Sequence, residues 1–142
     1  MIVLDTNIVL DLLVFSDPAT QPLKAALAAR ELEWIATAPM REELARVLAY
    51  PQITPRLAHY RLSAGEVLEA FDRQTRGVDV APKAAMTCKD PDDQKFIDLA
   101  VAHRARLLSK DHAVLRLKKR LLAHGVTAAP AIEAATVENT EP

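Results

Sequence analysis

Cysteine is almost missing from this chain of 142 residues, which carries Cys88 alone. A single thiol excludes an internal disulfide framework and any metal site built on several thiolates. It suits a reducing cytosol, and Cys88 itself reads as a small buried hydrophobe. Glycine is nearly as scarce, with three residues. No P-loop, G-x-G-x-x-G or G-x-S-x-G pattern occurs, so nucleotide motors, dinucleotide enzymes and serine hydrolases have no support. No stretch approaches the ~20 apolar residues of a membrane span. No basic region precedes Met1-Ile2-Val3-Leu4, so no signal peptide is expected, and the expected location is the cytoplasm. An excess of one charge is lacking too, with 18 Lys and Arg against 19 Asp and Glu. The net charge of −1 excludes a grip on nucleic acid by bulk electrostatics. Local clusters would have to supply it.

Half the residues are apolar and 26% are charged, a globular composition that suits one domain. Short β-type runs alternate with longer helical ones. Ile2 to Leu4, Trp34 to Thr37, Val78 to Val80, Leu107 to Ser109 and Val126 to Ala128 read as strands. Helices are expected over Ile8 to Phe15, Pro18 to Arg30, Pro39 to Tyr50, Asp92 to Arg104 and Ala113 to Ala123. Pro55 to His59 reads as a helical turn. Ser63 and Glu66 form a capping-box pattern for a helix through Thr75. Strands separated by helices predict an α/β fold with a parallel sheet of four to five strands, covered on both faces. Residues 1–129 would form the domain. Residues 130–142, small and acidic, would form a loosely held tail.

Four acidic residues stand apart from ordinary surface charges. Asp5 follows the first strand and Asp111 follows the fourth, where open α/β sheets place their ligands. Each could equally cap the helix that comes next, as could Asn7. Counting about 100° per residue, Asp93 lies in the middle of the face formed by Phe96, Ile97, Ala100 and Val101. On the same count, Asp98 falls about 140° away, where a solvated charge is expected. An inward acid costs free energy unless it is paired or binds a metal. Asp90 and Asp92 read as turn or cap residues. Glu43 borders the apolar face of Met40, Leu44, Val47 and Leu48, while Glu42 points away.

A fold that gathers Asp5, Glu43, Asp93 and Asp111 makes a cluster of like charges, each raising its neighbours' pKa. Hard oxygen donors with no thiol or histidine set suit Mg²⁺ or Mn²⁺. One use of such an ion is hydrolysis of a phosphodiester, where it activates water and neutralises charge. His59, His103, His112 and His124 are scattered and read as surface residues.

These residues resemble the PIN domain family, specifically its bacterial toxins of the VapC type. Val3-Leu4-Asp5-Thr6-Asn7 is similar to that family's first motif. Arg41 to Leu48 resembles the second, with Glu43 the acid before leucine. Asp90-Pro91-Asp92-Asp93 with Phe96, Ile97 and Ala100 resembles the third. Leu107-Leu108-Ser109-Lys110-Asp111 resembles the fourth, a strand ending in Thr/Ser-x-Asp. The likeness runs from residue 1 to about 125, and its specificity lies in the order and spacing of the four motifs together.

The resemblance implies a three-layer α/β/α fold and an endoribonuclease dependent on Mg²⁺ or Mn²⁺. It implies an antitoxin partner encoded beside the gene, and a homodimer. It makes Asp5, Glu43, Asp93 and Asp111 the acidic, metal-binding and catalytic set. Thr6, Asn7 and Ser109 would support the metal or its waters. One departure is Ala113, where family members often carry a further acid; a minimal set of four remains.

Two other readings use the same residues. One is a non-catalytic RNA- or protein-binding module that keeps the fold; the presence of all four acids argues against it. The other is a phospho-acceptor receiver domain, with Lys110 near its expected lysine, but the Glu43 and Asp93 helices have no place in it. Basic walls for RNA are available in Arg41, Arg46, Arg104, Arg106, Lys110, Arg116, Lys118, Lys119 and Arg120.

Overall fold

β1 (Ile2–Leu4) is buried at every position, as a strand covered on both faces must be. β2 (Trp34–Ala36) is buried throughout as well. They belong to a five-stranded sheet in the order β3-β2-β1-β4-β5, in which every pairing is parallel. The remaining strands are β3 (Thr75–Gly77), β4 (Arg106–Leu108) and β5 (Ala128–Ala129). This computed structural model describes residues 1–133.

The helices are α1 (Thr6–Leu13), α2 (Gln21–Ala28), α3 (Ala38–Leu48), α4 (Thr54–His59), α5 (Ala64–Gln74), α6 (Gln94–His103), α7 (His112–Leu115) and α8 (Lys118–Ala123). Right-handed crossovers place α1 to α5 on one face of the sheet and α6 to α8 on the other. The result is the expected three-layer α/β/α sandwich. Trp34 and Phe71 meet edge to face at 5.2 Å in one half of the core, a favoured aromatic geometry. Ile2, Val3, Ile97 and Leu107 fill the centre with no exposed surface.

Local signals set most boundaries. Pro22, Pro39 and Pro55 sit in the first turns of α2, α3 and α4, where a missing N–H costs nothing. The Ser63 and Glu66 capping box is formed in full. Gly125 follows α8 at φ +81°, a left-handed conformation that a Cβ disfavours. The added methyl would meet Arg104 at an ordinary 3.5 Å, so strain alone decides the outcome. Gly125→Ala should cost about 1 kcal/mol of stability, read as a lower denaturant midpoint with an unchanged slope.

Three expectations are corrected. The third strand is Thr75–Gly77, not Val78 to Val80. Thr75, Arg76 and Gly77 pair with Trp34, Ile35 and Ala36, and this edge strand is largely exposed, so backbone pairing and not an apolar run defines it. The expected helix from Ala113 to Ala123 is broken into α7 and α8. There the Leu117 N–H turns to the Val114 carbonyl three residues back, a tightened turn that interrupts the α-helical ladder.

The third correction concerns Asp98, which is half-buried and not a solvated charge. Its Oδ1 accepts 2.8 Å bonds from the Ala84 N–H and from Gln94 Nε2. The chain before α6 crosses the helix surface there, which a helical wheel does not show. Beyond β5, Ile132 packs against the core. The rest of the expected tail, residues 134–142, lies outside the described residues.

Candidate metal centre

The strand order reverses direction between β1 and β4, and open parallel sheets bind ligands beyond the carboxyl ends of strands at such a switch point. Leu4 and Leu108 are in register, so the two strands deliver Asp5 and Ser109 side by side. The Asp5 N–H donates to the Leu108 carbonyl at 3.1 Å.

Asp5 is buried and caps α1, its Oδ1 accepting from the Ile8 N–H at 3.1 Å. Ser109 Oγ donates to Asp5 Oδ2, and the same oxygen accepts from the Asp111 N–H at 3.0 Å. Ser109 thus ties the ends of β1 and α7 together. Burial pushes the Asp5 carboxyl above its ordinary range, the Ser109 hydroxyl and the Ile8 N–H pull it down, and the Asp111 charge raises it.

Asp111 caps α7 through a 2.8 Å bond from the Ala113 N–H to Oδ1. For Asp5 and Asp111, capping and a place in the acidic group therefore go together. In both, one carboxylate oxygen serves the helix end.

Asp93 closes a 3₁₀ turn over Pro91–Asp93 that opens α6. Asp90, Asp93 and Asp111 each offer a carboxylate oxygen within 4.8 Å of the others. Asp93 Oδ2 is buried without a hydrogen-bond partner. The Asp93 carboxyl is pushed up to about 7, first by burial, then by the charge of Asp111 and a hydrogen bond with it, then by Asp90 and Asp5. An orphaned carboxylate oxygen inside a set of hard oxygen donors fits a small divalent cation. Asp90, Asp93 and Asp111 would hold it, with Asp5 adding its charge beside them.

Glu43 stands apart from this group. Its Oε2 accepts from Thr6 Oγ1 at 2.8 Å, and its Oε1 is paired with the Lys95 ammonium. Thr6 supports Glu43 and Ser109 supports Asp5, whereas the Asn7 side chain is exposed. The Asn7 backbone N–H donates to Asp5.

Two participants escape the sequence reading. Asp90 passes there for a turn residue, and it does cap the 3₁₀ turn, with Oδ1 accepting from the Asp92 N–H at 3.0 Å. In a 3₁₀ turn residues i and i+3 eclipse, so Asp90 lies over Asp93; the Asp-Pro start of the motif is the signal that points to it. Lys95 carries no signal, because its partner is 52 positions away in another layer. Of the basic walls, Arg41 is engaged with Asp72 and Lys110 with Asp11. Arg46, Arg104, Arg106, Arg116, Lys118, Lys119 and Arg120 are exposed.

The sequence model of a family described as the PIN domain matches residues 1–113. The chain belongs to the PIN domain family. The match begins ahead of β1 and ends at Ala113 in α7, so it spans Asp5, Glu43, Asp90, Asp93 and Asp111. No curated protein matches the chain. A PIN domain is typically a metal-dependent nuclease, and the acidic group at the β1–β4 switch point is where such chemistry would sit. No helix among the described residues is long and apolar enough to cross a membrane.

Proposed function

We propose that this PIN domain is an endoribonuclease that hydrolyses RNA phosphodiester bonds with Mg²⁺ or Mn²⁺. The observation that carries this reading is the buried, unpartnered oxygen of Asp93 within the Asp90, Asp93 and Asp111 group. Three converging carboxylates destabilise a fold unless a cation joins them, and a PIN domain has a use for that cation. When bound, the ion supplies an activated water and neutralises charge on the phosphate. Asp90, Asp93 and Asp111 would hold it. Ser109 and the Ile8 N–H orient Asp5, and Thr6 holds Glu43. The catalytic set we propose is Asp5, Glu43, Asp93 and Asp111, with Thr6, Asn7 and Ser109 in support and Asp90 added by the structure. The nuclease unit would span residues 1–129.

The finer reading is a toxin of the VapC type, homodimeric, cytoplasmic and held in check by an antitoxin encoded beside it. Its support is the order and spacing of the four sequence motifs. Growth should stop on expression of the wild type and continue on expression of Asp93→Asn. Equal growth of the two would remove the toxin reading while leaving the nuclease reading intact.

Cleavage of a generic RNA should vanish in excess EDTA and return with Mg²⁺ or Mn²⁺. Zn²⁺ prefers nitrogen and sulfur ligands and should restore it poorly. Undiminished cleavage in EDTA would exclude the metal-dependent reaction. Binding of RNA without cleavage under every ion would favour the non-catalytic module.

A further inference from the structure

Glu43 differs from Asp90, Asp93 and Asp111 in facing a cation of the protein itself: its Oε1 makes no hydrogen bond but is ion-paired with the Lys95 ammonium. Thr6 Oγ1 holds Oε2 from α1. Lys95, in the first turn of α6, crosses from the opposite layer to pair with Oε1. The Lys95 ammonium also donates to the Asp92 carbonyl, which ties it to the turn that carries Asp90 and Asp93. The two side chains are 24% and 16% exposed, so the pair is largely withdrawn from water. A lysine whose ammonium is shared between Glu43 and the Asp92 carbonyl is unlike a solvated surface charge.

We infer that Lys95 is a positioning residue that acts as a built-in counter-cation for Glu43, so that this site takes one divalent ion, at the aspartates, and no second ion at Glu43. The inference rests on the metal-dependent reading above and specifies its stoichiometry. Physically, the ammonium supplies beside Glu43 the charge that a second ion would supply. It also remains tethered when the aspartates are empty. Arginine keeps a permanent positive charge at that carboxylate although its planar fork differs in shape from the ammonium, whereas methionine keeps the bulk and loses the charge.

The test is a count of bound Mn²⁺ by equilibrium dialysis, with free Mn²⁺ read by electron paramagnetic resonance. It is joined to thermal melting in EDTA. Wild type and Lys95→Arg should bind one ion per chain. Lys95→Met should bind a second ion, or bind the first about tenfold more tightly, because a positive charge beside the site has gone. The double variant Lys95→Met with Glu43→Gln should return to one ion. In EDTA, Lys95→Met should melt below wild type, since a partly buried carboxylate loses its partner, and the double variant should recover most of that loss. A lysine serving only as surface charge would give no such recovery. Wild type with two ions, or Lys95→Met indistinguishable from wild type in ion count and affinity, would overturn the inference and leave the nuclease reading standing. Wild type that binds no Mn²⁺ would overturn both.

Discussion

Asp93→Asn should lower RNA cleavage by about a thousandfold or more. A bound ion contributes several kcal/mol to charge stabilisation in hydrolysis of this kind, and each 1.36 kcal/mol is tenfold in rate. Asparagine keeps the shape of a protonated aspartate, so the turn over Pro91–Asp93 should survive while the ionic ligand is lost. Two controls separate position from mere acidity. Glu42 is exposed on α3, so Glu42→Gln should leave cleavage within about twofold of wild type, as exposed substitutions usually perturb little. Asp98→Asn tests a buried role without chemistry. Its Oδ1 holds the Ala84 N–H and Gln94, and an amide oxygen can still accept both bonds. It should therefore cost a little stability and little activity. Single-turnover cleavage rates decide between them. An essential Asp98 and a dispensable Asp93 would refute the assignment of the inward face of α6.

The same Asp93→Asn substitution should stabilise the ion-free protein above neutral pH. The carboxyl of Asp93 lies near 3.8 in an unfolded chain and is pushed up to about 7 in the fold. The folded state therefore holds this proton more tightly. By linkage, the stability it contributes is fully present below the unfolded value and is lost as pH rises through about 7. Above that, the folded protein carries an ionised carboxylate crowded by Asp111, Asp90 and Asp5.

One pKa unit is worth 1.36 kcal/mol. Asp93 is only half-buried, and screening by water reduces the effect, so the wild type should lose about 1–2 kcal/mol between pH 5 and pH 8 in EDTA through this group. Asp93→Asn should lack that part of the slope and melt above wild type at pH 8. Burial and Asp111 act on Asp5 in the same direction, so some slope should remain. Millimolar Mg²⁺ should raise the wild-type melting temperature by mass action and the variant's much less. Denaturant unfolding at the two pH values, with and without the ion, makes the comparison. A variant that melts below wild type at pH 8 in EDTA would show Asp93 to be structural.

The chain sequence alone determined the alternation of strands and helices, because periodicity and caps act within a few residues of each other. Ile2 to Leu4, the proline starts of α3 and α4 and the Ser63 capping box all belong to this class, and from them follow the parallel sheet and its covered faces. Asp5, Asp93 and Asp111 were legible for the same reason. Two come just after strands, and the third lies where the apolar face of a helix begins, in the turn that opens α6.

What depends on partners distant in the chain was decided by the tertiary structure. β3 has no apolar pattern of its own and exists because β2 offers its edge. Asp98 looks solvated until the segment around Ala84 crosses it. Asp90 joins the acidic group because a 3₁₀ turn, not an α-helical one, stacks it on Asp93. Glu43 was legible as an inward acid, but its pairing with Lys95 was not. A wheel drawn for one helix fixes the direction in which a side chain leaves the axis. Only the packing of α1, α3 and α6 over the end of one sheet fixes which charge it meets there.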